Sequence, residues 1–154
     1  MTKDSSFRPF EQGPYLSAAL LCEKVLVEKD EVKSAIRIID RVNRSAVGPN
    51  PPTEMAPFEY ELTLLLKFKS GRARGLHSVK IQPVKPSGEL MQELINNVLF
   101  EGEEDRGVDI VGNVRFRFEE TGIYWIHIYL NDTRVTQIPL RVTYVPQVRA
   151  GSRG

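Results

Sequence analysis

The chain has 154 residues, 21 basic and 20 acidic, for a formal net charge of +1. That is the length of one ordinary domain, able to bury roughly 68–70% of its unfolded surface without a disulfide or metal staple. The charge balance gives no whole-protein argument for nucleic acid or an anionic membrane surface. The single cysteine, Cys22, rules out an internal disulfide and fits a reducing, cytoplasmic compartment.

Residues 1–15 are polar and carry Pro9, Gly13 and Pro14. They read as a loosely held arm, with no basic-then-apolar signal pattern. No apolar run approaches the length of a membrane span, so no membrane partner is expected. Ser17 to Val27 is the first strand candidate. Its Ala, Leu, Glu and Lys also suit a helix. A strand pair is preferred, because the polar break Lys29-Asp30-Glu31 is followed by a β-branched run of similar length, Val32 to Val42. Strand parity puts Asp40 on the apolar side of that run, which implies a parity-shifting bulge or an arginine partner rather than a site acid.

Ser45 to Pro57 holds four prolines and a glycine and reads as a loop between sheets. From Phe58 to Lys69 the alternation is the strongest in the chain. Phe58, Tyr60, Leu62, Leu64, Leu66 and Phe68 share one side. Leu76 to Val84 is a further strand, and Pro86-Ser87-Gly88 is its turn. Leu90 to Glu101 fits a helical stripe through Leu90, Met91, Leu94, Ile95, Val98 and Leu99, and also a strand from Leu94 to Phe100. The strand is preferred. Glu101 to Gly107 is an acidic run. Glu101, Glu103, Glu104, Asp105 and Asp109 could chelate calcium, but they lack an ordered ligand spacing, so a solvated charge run is the expectation.

The final third is the clearest. Val114, Phe116 and Phe118 alternate with Arg115 and Arg117. Beyond Gly122, Tyr124, Ile126, Ile128 and Leu130 share one face, while Trp125, His127 and Tyr129 share the other. Asn131-Asp132 is a hairpin turn candidate. Ile138, Leu140, Val142 and Tyr144 then alternate with Gln137, Pro139, Arg141 and Thr143. Pro139 cannot donate to a ladder, which points to an edge or a bulge. Glu120-Thr121-Gly122-Ile123-Tyr124 resembles the tyrosine corner of immunoglobulin-like sandwiches, in which the tyrosine hydroxyl bonds nearby backbone. The cysteine that often follows would fall at Ile126, so the inter-sheet disulfide is missing.

These elements predict an all-β, antiparallel two-sheet sandwich of about eight strands, immunoglobulin-like at its end. One domain covers 16–146, and a disordered tail covers 147–154. The last three strands are expected to form a meander. Arg115, Arg117, Trp125, His127, Tyr129, Gln137 and Arg141 would then project together from one outer face. Aromatic rings interleaved with arginines suit a protein partner or a homodimer. A small ligand or nucleotide is the alternative; the near-zero net charge argues against nucleic acid.

No phosphate loop, dinucleotide fingerprint, nucleophile elbow or zinc-ligand cluster is present, so no cofactor, no metal and no enzyme activity is expected. Cys22, His77 and His127 read as a structural thiol and two surface imidazoles.

The segments ALLCEKVLVEKDEV and SAIRIIDRV with the breaker loop after them, KPSGE in mid-chain, and EETGIYWIHIYLNDTRVTQIPLRVTY resemble a family of small uncharacterised bacterial proteins. The resemblance spans residues 18–145. It implies a bacterial cytoplasmic β-sandwich and carries over no functional residue.

Overall fold

The computed structural model describes residues 12–103 and 105–149. Nine strands account for its regular structure. They are β1 (Tyr15–Val27), β2 (Lys33–Ile38), β3 (Arg41–Gly48), β4 (Phe58–Lys69), β5 (Arg74–Val84), β6 (Leu94–Glu101), β7 (Gly107–Phe118), β8 (Gly122–Leu130) and β9 (Thr133–Val148). They form a four-stranded sheet, β2-β1-β4-β7, and a five-stranded sheet, β3-β9-β8-β5-β6. The fold is the expected immunoglobulin-like sandwich.

Two-residue alternation explains the core. Leu62, Leu64, Leu66 and Phe68 of β4 and Phe116 and Phe118 of β7 are buried from one sheet. Tyr124, Ile126 and Ile128 of β8 and Leu140 of β9 are buried from the other. Phe116 and Phe118 stack at 5.3 Å, and Phe118 meets the Tyr124 ring edge-on at 4.8 Å across the sheets. Each such side chain contributes about 1.5–3 kcal/mol on burial.

The tyrosine corner is present. The Tyr124 hydroxyl donates to the Glu120 carbonyl at 2.8 Å and accepts from the Glu120 N–H at 3.3 Å. Gly122, at φ 127°, lets the chain turn sharply there. Asn131 and Asp132 both take positive φ and close the β8–β9 hairpin as a two-residue turn. Residues 94–101 are strand, not helix.

Several expectations need correction. Val32 to Val42 is not one strand. The chain leaves the four-stranded sheet after Ile38 and enters the other at Arg41. Asp40 lies at this crossing, exposed, and its carbonyl accepts from the Arg141 N–H. It is therefore neither buried nor in need of a partner. β3 also runs on to Gly48, into the region read as loop. It pairs with β9 in parallel, the one parallel ladder among the described residues.

The last three strands do not form a meander. β7 pairs with β4, and the corner at Tyr124 carries the chain across to the opposite sheet. Alternation fixes which side chains point inward; it does not choose a strand's neighbour. Pro139 is tolerated because the β3 ladder begins only at Arg141. The irregularity in the β8–β9 register lies instead at Ile128/Tyr129. β9 extends to Val148, two residues past the boundary expected at 146. The N-terminal arm through residue 11 and the tail from residue 150 lie outside the described residues.

Candidate functional site

The outer face of the five-stranded sheet is where the expected site residues gather. In β8, Trp125, His127 and Tyr129 alternate with buried neighbours and are each half-buried. Cross-strand rows place them. Trp125 stands between Val84 and Pro139, His127 between Gln82 and Gln137, and Tyr129 between Lys80 and Arg134. The His127 and Tyr129 rings meet edge-on at 6.3 Å. The Lys80 ammonium sits 4.5 Å over the Tyr129 ring, a cation–π contact. Burial lowers the His127 pKa, and the nearby Arg134 charge adds to this, so the imidazole is neutral at pH 7. Arg141 lies further along the same face, paired with Ile123 and Arg41, and is exposed.

Arg115 and Arg117 are elsewhere. They belong to β7, so they sit on the other sheet, and their expected place beside Trp125 is wrong. The reason is the crossing at Tyr124. Arg115 pairs with Glu61 at 3.5 Å, and Arg117 with Glu119 at 3.2 Å. Both border a cleft of about 490 Å³ between the sheet margins, floored by Phe116 and flanked by Leu90 and Met91.

The structure adds residues that alternation did not flag. Leu76 of β5 is 76% exposed, and its direct partner in β6, Leu99, is 55% exposed. Ile95, opposite Lys80, is 58% exposed. Strand parity places these three on the same outer face as Tyr129 and Lys80. The aromatic half of the face, on β8, thus meets the aliphatic half, on β5 and β6, at Ile95, along the row Tyr129–Lys80–Ile95; Leu76 and Leu99 lie two rows further on, past Ser78 and Asn97. One signal was legible: residues 94, 95, 98, 99 and 100 are apolar at both parities, so β6 has an apolar side it cannot bury.

The remaining candidates are dispersed. Cys22 belongs to the four-stranded sheet, and both histidines to the five-stranded one. Among the acidic residues, Asp109 is held by Lys33 at 2.7 Å and Lys67 at 3.1 Å, and Glu103 by Arg106 at 2.9 Å. Glu104 lies outside the described residues. Among the described residues no group of three or more His, Cys, Asp or Glu is placed to hold a metal ion. No helix among them is long and apolar enough to cross a membrane.

The chain belongs to a family of unknown function (DUF6941), whose model matches residues 17–143. No curated protein matches it in sequence. Among solved structures it is similar to the CARDB domain of a Pyrococcus furiosus protein in complex with di-metal ions. The identity is 13%, with 87% of this chain and 97% of that one covered, at a TM-score of 0.41. An immunoglobulin-like protein from Pseudomonas aeruginosa is similar at 12% identity, covering 86% of this chain and 98% of that one, TM-score 0.41. An alkylpurine DNA glycosylase from Pseudomonas fluorescens, bound to DNA, is similar at 10% identity and a TM-score of 0.37. The match covers 81% of this chain but only 30% of the glycosylase. No activity is carried from any of them.

Proposed function

We propose that this domain is a non-catalytic protein-docking module of a bacterial cytoplasmic system, working through the outer face of its five-stranded sheet. The observation that carries the reading is a set of exposed aliphatic side chains on this face: Ile95 in the row of Lys80 and Tyr129, and the pair Leu76–Leu99 two rows along. A sheet that keeps three aliphatic side chains more than half exposed on one face holds them there at a cost in solubility. Aromatic and aliphatic anchors ringed by polar groups are what protein interfaces use. One cysteine, buried and unpaired, suits a reducing compartment. The alternative, a nucleotide or other small ligand on the same face, is less well supported. Small-ligand sites are concave, and neighbouring strands half-cover Trp125, His127 and Tyr129.

Trp125 is the only tryptophan of the chain, so its fluorescence reports on this face directly. The test pairs a lysate capture on immobilised wild type and Leu76→Glu with a nucleotide titration followed by Trp125 emission. A protein retained by wild type and lost from the variant, with emission unmoved by nucleotide, is the expected result. Equal retention by both proteins, or saturable quenching by nucleotide, would overturn the reading.

A further inference from the structure

We infer that β6 pairs antiparallel with β6 of a second copy, across a twofold axis at Asn97, joining two five-stranded sheets into one of ten strands. This rests on the docking reading above and names the occupant of its aliphatic half.

The free edges point to β6. Among the described residues, four strands end the two sheets: β2, β7, β3 and β6. Exposed edges invite pairing with another chain, and charged residues, lysine above all, are the usual guard. β2 carries Lys33 and Arg37, and β3 carries Arg41 and Arg44. β7 carries Asp109, Arg115 and Arg117. β6, LINNVLFE, carries no basic residue, no proline and no charge before its terminal Glu101. Its side chains are the unguarded ones.

The pattern of β6 also matches itself. An axis normal to the sheet keeps the outer faces of the two copies on one side. Centred on Asn97, it sets Asn97 against its own copy, amide against amide. It sets Ile95 against Leu99 of the partner subunit, and Leu99 against the partner's Ile95. Since Leu76 already stands opposite Leu99, each copy extends an outer row of three aliphatic side chains. On the inner side Leu94, 39% exposed at the sheet margin, comes opposite the partner's Phe100. The one like-charge meeting is Glu101 with Glu93, at the strand ends, where Arg74 faces Glu101 across β5–β6. Aliphatic pairs and paired amides are favourable cross-strand neighbours. No unrelated partner is needed to explain why the exposed residues alternate as aliphatic, amide, aliphatic about one position.

The register makes a covalent prediction. Residues directly opposed in an antiparallel pair have Cα atoms about 4.5–5.5 Å apart, within disulfide range. Asn97→Cys in the full chain should therefore cross-link to a dimer under mild oxidation. Ile95→Cys should not, because two copies of residue 95 lie roughly 13 Å apart at this register. Light scattering on wild type should give twice the chain mass, falling on dilution, and Leu99→Glu should give the monomer. A wild type that stays monomeric, with Asn97→Cys unlinked, overturns the inference. If Leu99→Glu nonetheless abolishes capture of a lysate protein, the docking reading stands with another occupant. If capture is also unchanged, both fall. A dimer that links through residue 95 but not 97, or that ignores Leu99→Glu, overturns the β6 pairing.

Discussion

The Lys33 ammonium lies 2.7 Å from the Asp109 carboxylate, although β1 and β4 stand between their strands in the sheet order. Lys33 pairs with Val27 at the far end of β1, while Asp109 shares a row with Lys67 and Ala18. In a flat sheet the nine steps from Ala18 to Val27 alone would separate them by roughly 30 Å. The β1–β2 hairpin must therefore leave the sheet past Cys22 and fold back diagonally over its outer face. The Thr63 hydroxyl, on that face, donates to the Glu23 carbonyl at 3.3 Å, at the bend. Cys22, on the same face by parity, is fully buried. A single hairpin thus forms a cover held at its far end by a partly exposed ion pair.

Asp109→Asn should loosen this cover. The charge-assisted contacts to Lys33 and Lys67 are partly exposed, so the loss should be about 1–2 kcal/mol in urea unfolding. Burial works against the ionised Asp109, but the two ammonium groups outweigh it and hold its pKa below the ordinary 3.8. A carboxyl with a depressed native pKa stabilises fully above its unfolded value, and that contribution disappears as pH falls through the native one. Wild type should therefore lose the latch only below about pH 3.8, and the variant should show a flatter acid limb. Coincident acid limbs would count against the latch.

The Cys22 thiol gives a separate readout. Its Sγ lies 3.5 Å from the Lys24 carbonyl and 3.6 Å from that of Thr63, and burial raises its pKa. A protonated, covered thiol is a poor nucleophile. Native wild type should react with a thiol reagent at pH 8 about tenfold more slowly than Asp109→Asn, a margin that corresponds to about 1.4 kcal/mol of opening. Equal rates would show that the hairpin does not guard Cys22.

Tyr124→Phe removes both bonds to Glu120 while keeping the ring against Phe118. The expected cost is about 1 kcal/mol, seen as a lower urea midpoint at unchanged slope. An unchanged midpoint would reduce the corner to simple packing.

Gly107 opens β7 opposite Lys69, and an added Cβ would overlap the Phe68 carbonyl. Gly107→Ala should cost about 3 kcal/mol in thermal unfolding, as overpacking does. Gly112→Ala in the same strand, where a Cβ meets nothing, is the control and should cost far less.

His127 should titrate below its ordinary 6.5 in proton NMR, because burial and then Arg134 oppose the imidazolium. An imidazole harder to protonate in the native state lowers stability as pH falls beneath 6.5. A midpoint at or above 6.5 would mean that the ring is more open than its row between Gln82 and Gln137 implies.

Phe116, Tyr124, Ile126 and Leu140 are all buried where alternation put them. Side-chain direction along a strand is set by the local backbone, so a run of residues carries it without any knowledge of the rest. The hairpin at Asn131-Asp132 and the corner at Tyr124 were equally local, each encoded by the residues that make it. The break at Ile39–Asp40 was not: Ile38 and Val42 share a parity in sequence, yet Ile38 is 62% exposed in one sheet and Val42 is buried in the other.

The sequence by itself determined that this chain makes layered strands, and which side chains line the space between the layers. Only the tertiary structure decided which strands are neighbours. It separated Arg115 and Arg117 from Trp125, set Lys80 and Ile95 in the row of Tyr129 with Leu76 and Leu99 on the same face, and left β6 at an edge among the described residues. Pairing joins residues far apart in the chain through backbone groups that every residue shares, so strand order has no signature in any single stretch.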